Sequence, residues 1–201
     1  MLFGILADSH GLSDKLRKGI AVLKERHADE ILQLGDVADT LRPDTVDECI
    51  SLLIENRIRG VMGNHEYSLV MHHFKRYPER FLETTKQYVQ SLPRRIIEGD
   101  ICFTHFSPSG GIYGLFAPTD EQNYEETIKA SRWPIIVNGH SHDPRIYRQL
   151  NGVVEDVGIQ PNVAHRLDKE SRYILTCGAL EDSYCAMLDL TSRRFEIILL
   201  E

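Results

Sequence analysis

Five short apolar runs in this chain end the same way. LFGILADSH, ILQLGD, RGVMGNHE, ICFTH and PIIVNGHSH each pass through a stretch of Leu, Ile, Val or Phe and stop on Asp, Asn or His. Apolar runs of about four to eight residues are shorter than a buried helix, and their lack of alternation suits strands covered on both faces. In open α/β sheets, ligands collect at the carboxyl ends of such strands. One polar terminus is a turn. Five in order, at intervals of roughly 25 to 40 residues that leave room for a helix between strands, describe a site at a sheet rim.

The intervening segments carry helical spacing. Ser13 is placed to cap a helix whose apolar stripe is Leu16, Ile20, Leu23 and His27, and Pro43 opens a second with Val46, Cys49, Ile50 and Leu53 inward. Residues 66–92 read as helix broken near Pro78, residues 94–98 and 100–104 as a hairpin about Gly99-Asp100, and 119–131 as a helix opened by a capping box. After residue 143 the pattern turns to strands: a hairpin about Asn151-Gly152, then 173–177, 184–190 and 195–200. Residues 159–171 are polar and carry no element, and 107–118 read as a loop whose glycines allow closure over a ligand. Residues 1–201 therefore read as one layered α/β domain, with a mixed sheet or two packed sheets flanked by helices.

Composition narrows the partners. A net charge of −7, with no Lys/Arg run longer than a pair, argues against a nucleic-acid polymer. No stretch approaches the roughly 20 apolar residues of a membrane span, and the short apolar start lacks a basic segment before it. Cys49, Cys102, Cys177 and Cys185 sit in apolar stretches without C-x-x-C spacing, so buried reduced thiols and a cytoplasmic location are expected.

The terminal groups are Asp8 and His10, Asp36, Asn64 and His65, His105, and His140 and His142. Asp-x-His and Gly-His-Ser-His each place two donors within one turn. Oxygen and imidazole without thiolate suit Mn²⁺, Fe or Zn²⁺ alike; Mn²⁺ is the ion expected here. The set exceeds what one tetrahedral ion takes, and two ions about 3.5–4 Å apart with a shared carboxylate would use it.

Asp8-Ser-His10-Gly, Gly35-Asp36, Gly63-Asn64-His65-Glu66, His105 and Gly139-His140-Ser-His142 together resemble the calcineurin-like metallophosphoesterase superfamily, and the short chain resembles its small prokaryotic phosphodiesterase branch. The resemblance implies a four-layer α-β-β-α sandwich with two mixed sheets. It implies one metal on Asp8, His10, Asp36 and His142, a second on Asp36, Asn64, His105 and His140, and in-line attack on phosphorus by a metal-bridging hydroxide. His65 would protonate the leaving group, with Asp39 as its carboxylate partner. A small phosphorylated substrate follows, a phosphodiester first, with monoesters, phosphoproteins and dinucleoside polyphosphates as alternatives and a non-catalytic scaffold as the contrasting class.

The match has departures. Thr40-Leu41 stand where the phosphoprotein phosphatases carry Arg-Gly, and Phe106 follows His105 where the family has glycine. Of the other histidines, His27 reads as core, His72 and His73 as helix surface, and His165 has no spacing partner.

Overall fold

The layering begins with the alternation of side chains along β1 (Leu2–Leu6). Phe3 and Ile5 enter a core with Leu32, Phe103, Val137 and Leu175. Leu6 joins Leu16, Ile20 and Leu23 on the opposite face. Gly4 shares that second face, where a Cβ would lie 3.0 Å from Leu23, so a bare backbone lets the first helix, α1 (Ser13–Glu25), pack close. The computed structural model describes residues 1–108 and 121–201.

Two six-stranded sheets are formed. The first orders β3 (Arg59–Gly60), β2 (Glu30–Gln33), β1, β11 (Tyr184–Asp189), β12 (Arg194–Leu199) and β9 (Ala164–Arg166). Within it β1, β2 and β3 run parallel and the rest antiparallel. The second orders β4 (Arg95–Glu98), β5 (Ile101–Thr104), β6 (Ile135–Asn138), β10 (Arg172–Thr176), β7 (Arg145–Leu150) and β8 (Val153–Asp156), with β5, β6 and β10 parallel. Both sheets are mixed. Their inner faces share one apolar core, in which Phe3 and Phe103 meet across the sandwich at 5.1 Å between ring centroids.

Helices cover the outer faces. α1, α2 (Val46–Glu55) and the segment after residue 64 pack on the first sheet. That segment is α3 (Asn64–Ser68), a π turn Leu69–His73, α4 (Phe74–Arg76), a 3-10 turn Pro78–Arg80 and α5 (Glu83–Ser91), broken at Pro78 as its ring requires. On the second sheet, α6 (Glu121–Ala130) sets Tyr124 and Ile128 against Ile136, Tyr147 and Ile174, with Tyr124 stacked on Tyr147 at 4.6 Å. The result is the four-layer α-β-β-α sandwich.

Several details differ from the sequence reading. Ser13 is the first helical residue and makes no cap bond, because Leu12 occupies the N-cap position. His27 lies beyond the end of α1, exposed, with φ 60°, so it is not core. β9 runs inside the segment read as unassigned and pairs with β12. The third strand is only two residues long, although the Val61 N–H still donates to Gln33 O at 2.9 Å. The proposed closing loop at 110–116 lies outside the described residues. All four cysteines are buried free thiols, and among the described residues no helix is long and apolar enough to cross a membrane.

Because Phe103 is fully buried at the inter-sheet contact, Phe103→Ala is expected to lower unfolding stability by about 3–5 kcal/mol. Urea denaturation followed by far-UV circular dichroism checks this, with an unchanged native spectrum expected.

Candidate metal centre

The parallel strands β1, β2 and β3 of one sheet and β5 and β6 of the other end at a common rim, and each terminus turns sharply. Asp8, His10, Asp36, His140 and His142 all have φ between 44° and 68°, five of the eleven non-glycine residues in that region among the described residues. Left-handed backbone is ordinarily left to glycine, and a side chain there costs about 1–3 kcal/mol. Asp and His are among the non-glycine residues that tolerate this region best, and at these turns their side chains belong to the cluster. Backbone bonds fix the turns: Asp8 N–H donates to Gly35 O at 3.0 Å, His10 N–H to Asp36 O at 3.0 Å, and Gly139 N–H to His105 O at 2.9 Å.

All seven residues read as metal ligands come together. On one side, His10 Nε2 and His142 Nε2 stand 3.1 Å apart, with Asp8 Oδ1 3.9 Å from His142 Nε2. On the other, His105 Nε2 lies 2.9 Å from Asn64 Oδ1 and 3.0 Å from His140 Nδ1, which is 3.1 Å from the same Asn64 oxygen. Asp36 joins the halves. Its Oδ2 is 3.4 Å from His105 Nε2, and its carboxylate falls within metal-holding distance of both the His105–His140 pair and the His10–His65 pair.

His105 Nδ1–H donates to Leu34 O at 2.8 Å, so in the neutral ring Nε2 offers a lone pair, and it faces an amide oxygen and another imidazole nitrogen. Asp8 Oδ2 accepts the His140 N–H at 2.8 Å, but its Oδ1, fully buried, has no hydrogen-bond partner. Ligand-type atoms converging on a common point, with a buried carboxylate oxygen beside them that has no hydrogen-bond partner, suit a cation. The donor set fits a divalent metal.

The electrostatics agree. Burial, reinforced by the charge of Asp36, raises the Asp8 carboxyl well above its ordinary range. Burial opposes charge on both His105 and Asp36, yet their mutual attraction prevails, pushing His105 up to about 10 and holding Asp36 below its usual value. Burial and then charged His105 drive His140 down to about 4, and burial lowers His10. A proton on His105 thus stands in for positive charge the pocket demands.

His65 and Asp39 lie at the edge of this cluster. The His65 ring centroid is 4.8 Å from that of His10. Its Nδ1 accepts the Thr40 N–H at 3.1 Å, while Asp39 Oδ1 stands 3.6 Å away, outside hydrogen-bond distance. Asp39 Oδ1 takes the Leu41 N–H at 2.8 Å, and Asp39 Oδ2 faces Arg42 Nε at 3.6 Å. Phe106 is buried, its ring 5.3 Å from that of His140, so it backs an imidazole with apolar surface. Ser9 donates to Val37 O at 3.1 Å.

Two supporting carboxylates escaped the sequence reading. Glu66, completely buried, accepts N–H groups from Asp36 at 2.7 Å, Ala38 at 2.9 Å and Gly63 at 3.0 Å, tying the turn after β2 to the start of α3. Burial, then the Asp36 charge, raises its carboxyl against the pull of those donors. A Cβ on Gly63 would meet Asp36 Oδ1 at 2.2 Å, so the approach requires glycine. A Glu three residues after an N-cap glycine is a capping-box signal that would have found it. Glu181, whose Oε1 lies 3.1 Å from His142 Nδ1, comes from a distant segment and leaves no local signal.

Comparison with known proteins follows the same lines. A family model described as the calcineurin-like phosphoesterase superfamily domain matches residues 1–176. The chain is 23% identical to an uncharacterised protein of Methanocaldococcus jannaschii over 228 residues, covering 100% of this chain and 87% of the other. A crystal structure of a metallophosphoesterase from Sphaerobacter thermophilus is similar with TM-score 0.79 and 24% identity, covering 100% of this chain and 89% of that one. An archaeal phosphodiesterase is similar with TM-score 0.56 and 16% identity over 100% of both chains. At these identities the structural likeness speaks to the fold.

Replacing Glu66 by Gln turns an NH₂ group toward backbone N–H groups that now donate to a carboxylate. Glu66→Gln is therefore expected to lower stability by about 1–3 kcal/mol for each donor left unsatisfied, measured by chemical denaturation in the presence of EDTA.

Proposed function

The chain belongs to the calcineurin-like phosphoesterase superfamily, and from that premise we propose that it is a metal-dependent phosphodiesterase holding two divalent cations. The supporting observation is the position of Asp36 between two groups of donors that have no other carboxylate in common. Asp8, His10, Asp36 and His142 would hold one cation, and Asp36, Asn64, His105 and His140 the other. The set of imidazole, amide and carboxylate without thiolate suits Mn²⁺, Fe or Zn²⁺, of which Mn²⁺ is the ion proposed. When bound, such a pair supplies a water of near-neutral pKa and neutralises charge on a phosphoryl group. Asn64 contributes a carbonyl oxygen without charge, which keeps two carboxylates, Asp8 and Asp36, as the only anionic ligands.

His65 serves the leaving group. With Nδ1 accepting the Thr40 N–H, a neutral ring carries its proton on Nε2 and donates a hydrogen bond from there. A protonated ring has Nδ1–H as well, and Asp39, 3.6 Å away, is the group placed to receive it after a small rotation. In that state Nε2 surrenders its proton to the departing oxygen. Asp39 is thus the partner of the charged ring and Thr40 of the neutral one.

Substrate charge is read from the cavity of about 750 Å³ that opens beside His142. Ile159, Pro144 and Tyr184 give it apolar wall. Among its described lining residues the one guanidinium, Arg145, is engaged by Asp143 at 2.7 Å and by Asp156 at 3.4 Å, and Asp182 adds a third carboxylate. A surplus of carboxylate repels a polyphosphate chain and accepts an uncharged ester substituent. The substrate is accordingly a small phosphodiester with an uncharged second substituent. Four buried thiols suit the reducing cytoplasm.

After EDTA treatment the protein is expected to be inert toward bis-p-nitrophenyl phosphate and to recover on Mn²⁺ addition, with kcat/KM well above that for diadenosine tetraphosphate. Asp36→Asn is expected to lose metal by elemental analysis together with activity. A purified protein that holds no metal and stays inert in Mn²⁺ would favour the scaffold. His65→Ala is expected to retain its metal and lose roughly 10²–10⁴-fold in kcat on an alkyl phosphodiester, whose leaving group needs a proton. Unchanged turnover on that substrate would remove His65 from the reaction.

A further inference from the structure

The two halves of the cluster hold their imidazoles in different ways. His105 gives its Nδ1 proton to a main-chain carbonyl, Leu34 O, inside the core. His142 is part-exposed and has a carboxylate instead, Glu181 Oε1 at 3.1 Å from Nδ1. The turn that carries Glu181 is anchored to the metal-site backbone. Leu180 N–H donates to Ala7 O at 2.8 Å and Glu181 N–H to Asp8 O at 3.1 Å. Ala179 N–H donates to the carbonyl of His142 itself at 3.2 Å. Leu180 is fully buried against α1, where a Cβ on Gly19 would lie 3.0 Å from its side chain. Lys15, from the first turn of α1, donates to Glu181 O and reaches Ser183 Oγ at 3.2 Å. Through backbone and side chain, Glu181 therefore touches two of the ligands assigned to one cation, Asp8 and His142, and none of those assigned to the other alone.

We propose that Glu181 is a positioning residue: its carboxylate accepts a hydrogen bond from the Nδ1–H of His142, aims Nε2 at the centre, and tightens only the cation held with Asp8 and His10. The inference rests on the two-cation reading above. An imidazole with Nδ1–H bound to a carboxylate presents Nε2 as a lone pair in a fixed plane and is a stronger donor to a metal. Without that partner, His142 is free to rotate and to exchange tautomers, since no other described group lies within hydrogen-bond distance of Nδ1; Asp182 Oδ2 is 3.8 Å away. The cation on His105 and His140 keeps its support from Leu34 O and is unaffected.

The test is Mn²⁺ titration of the EDTA-stripped protein, with free Mn²⁺ followed by electron paramagnetic resonance. Wild type is expected to take up two ions. Glu181→Ala should bind one as before and the other about 10–100-fold more weakly, the usual effect of losing such a partner. Glu181→Gln, whose amide oxygen still accepts from Nδ1–H, should recover part of the loss, and Asp182→Asn should match wild type. In the unmodified, metal-loaded protein with diamagnetic Zn²⁺, long-range ¹H–¹⁵N spectra should show the His142 proton on Nδ1, a readout that needs no variant. Equal weakening of both ions, no weakening, the same loss in Asp182→Asn, or a His142 proton on Nε2 would each overturn the role of Glu181. Failure of wild type to bind two ions would overturn the two-cation reading itself, and is a separate result.

Discussion

The convergence of imidazole, amide and carboxylate donors from distant strand ends on one rim is the constraint on which this structure turns. His105, Asn64 and His140 bring two imidazole nitrogens and an amide oxygen within 3.1 Å of one another, and His10 and His142 repeat the arrangement beside the bare oxygen of Asp8. Asp36 holds His105 charged against the opposition of burial, so positive charge is favoured at this point. The fold and its supporting contacts hold these groups together.

The support is distributed by physical type. Five left-handed residues in three turns carry ligating side chains at a cost that glycine would avoid. Two sheets closed on a common apolar core make the rim rigid enough to bear that strain. Glu66 ties the turn after β2 to the start of α3 through three N–H bonds, fixing the backbone beside Asp36 and Asn64. Glycine enters where even a methyl group would collide: a Cβ at Gly139 would lie 2.6 Å from Asp8 Oδ2.

Much of this was legible in the chain because the site is built from strand ends. An apolar run followed at once by Asp, Asn or His is a local pattern, and the seven donors were found by it. The hairpins at Gly99 and Asn151-Gly152 were legible for the same reason, each turn residue having the positive φ its type permits. What stayed hidden depends on tertiary contact. β9 is a polar edge strand recognised only by its partner β12. His27 kept helical spacing past the point where the chain leaves the helix. The sequence points to Asp39 beside His65, and the structure adds the nearer Thr40 N–H, a backbone donor with no sequence signature. Glu181 meets His142 from a turn before β11, a proximity that folding alone creates.

The claim that orders all of this is that two cations share Asp36. The direct measurement is anomalous diffraction at the manganese edge from a crystal equilibrated with Mn²⁺. Two peaks about 3.5–4 Å apart on either side of the Asp36 carboxylate are the predicted result. A single peak, or peaks in separate cavities with Asp36 touching neither, would contradict it.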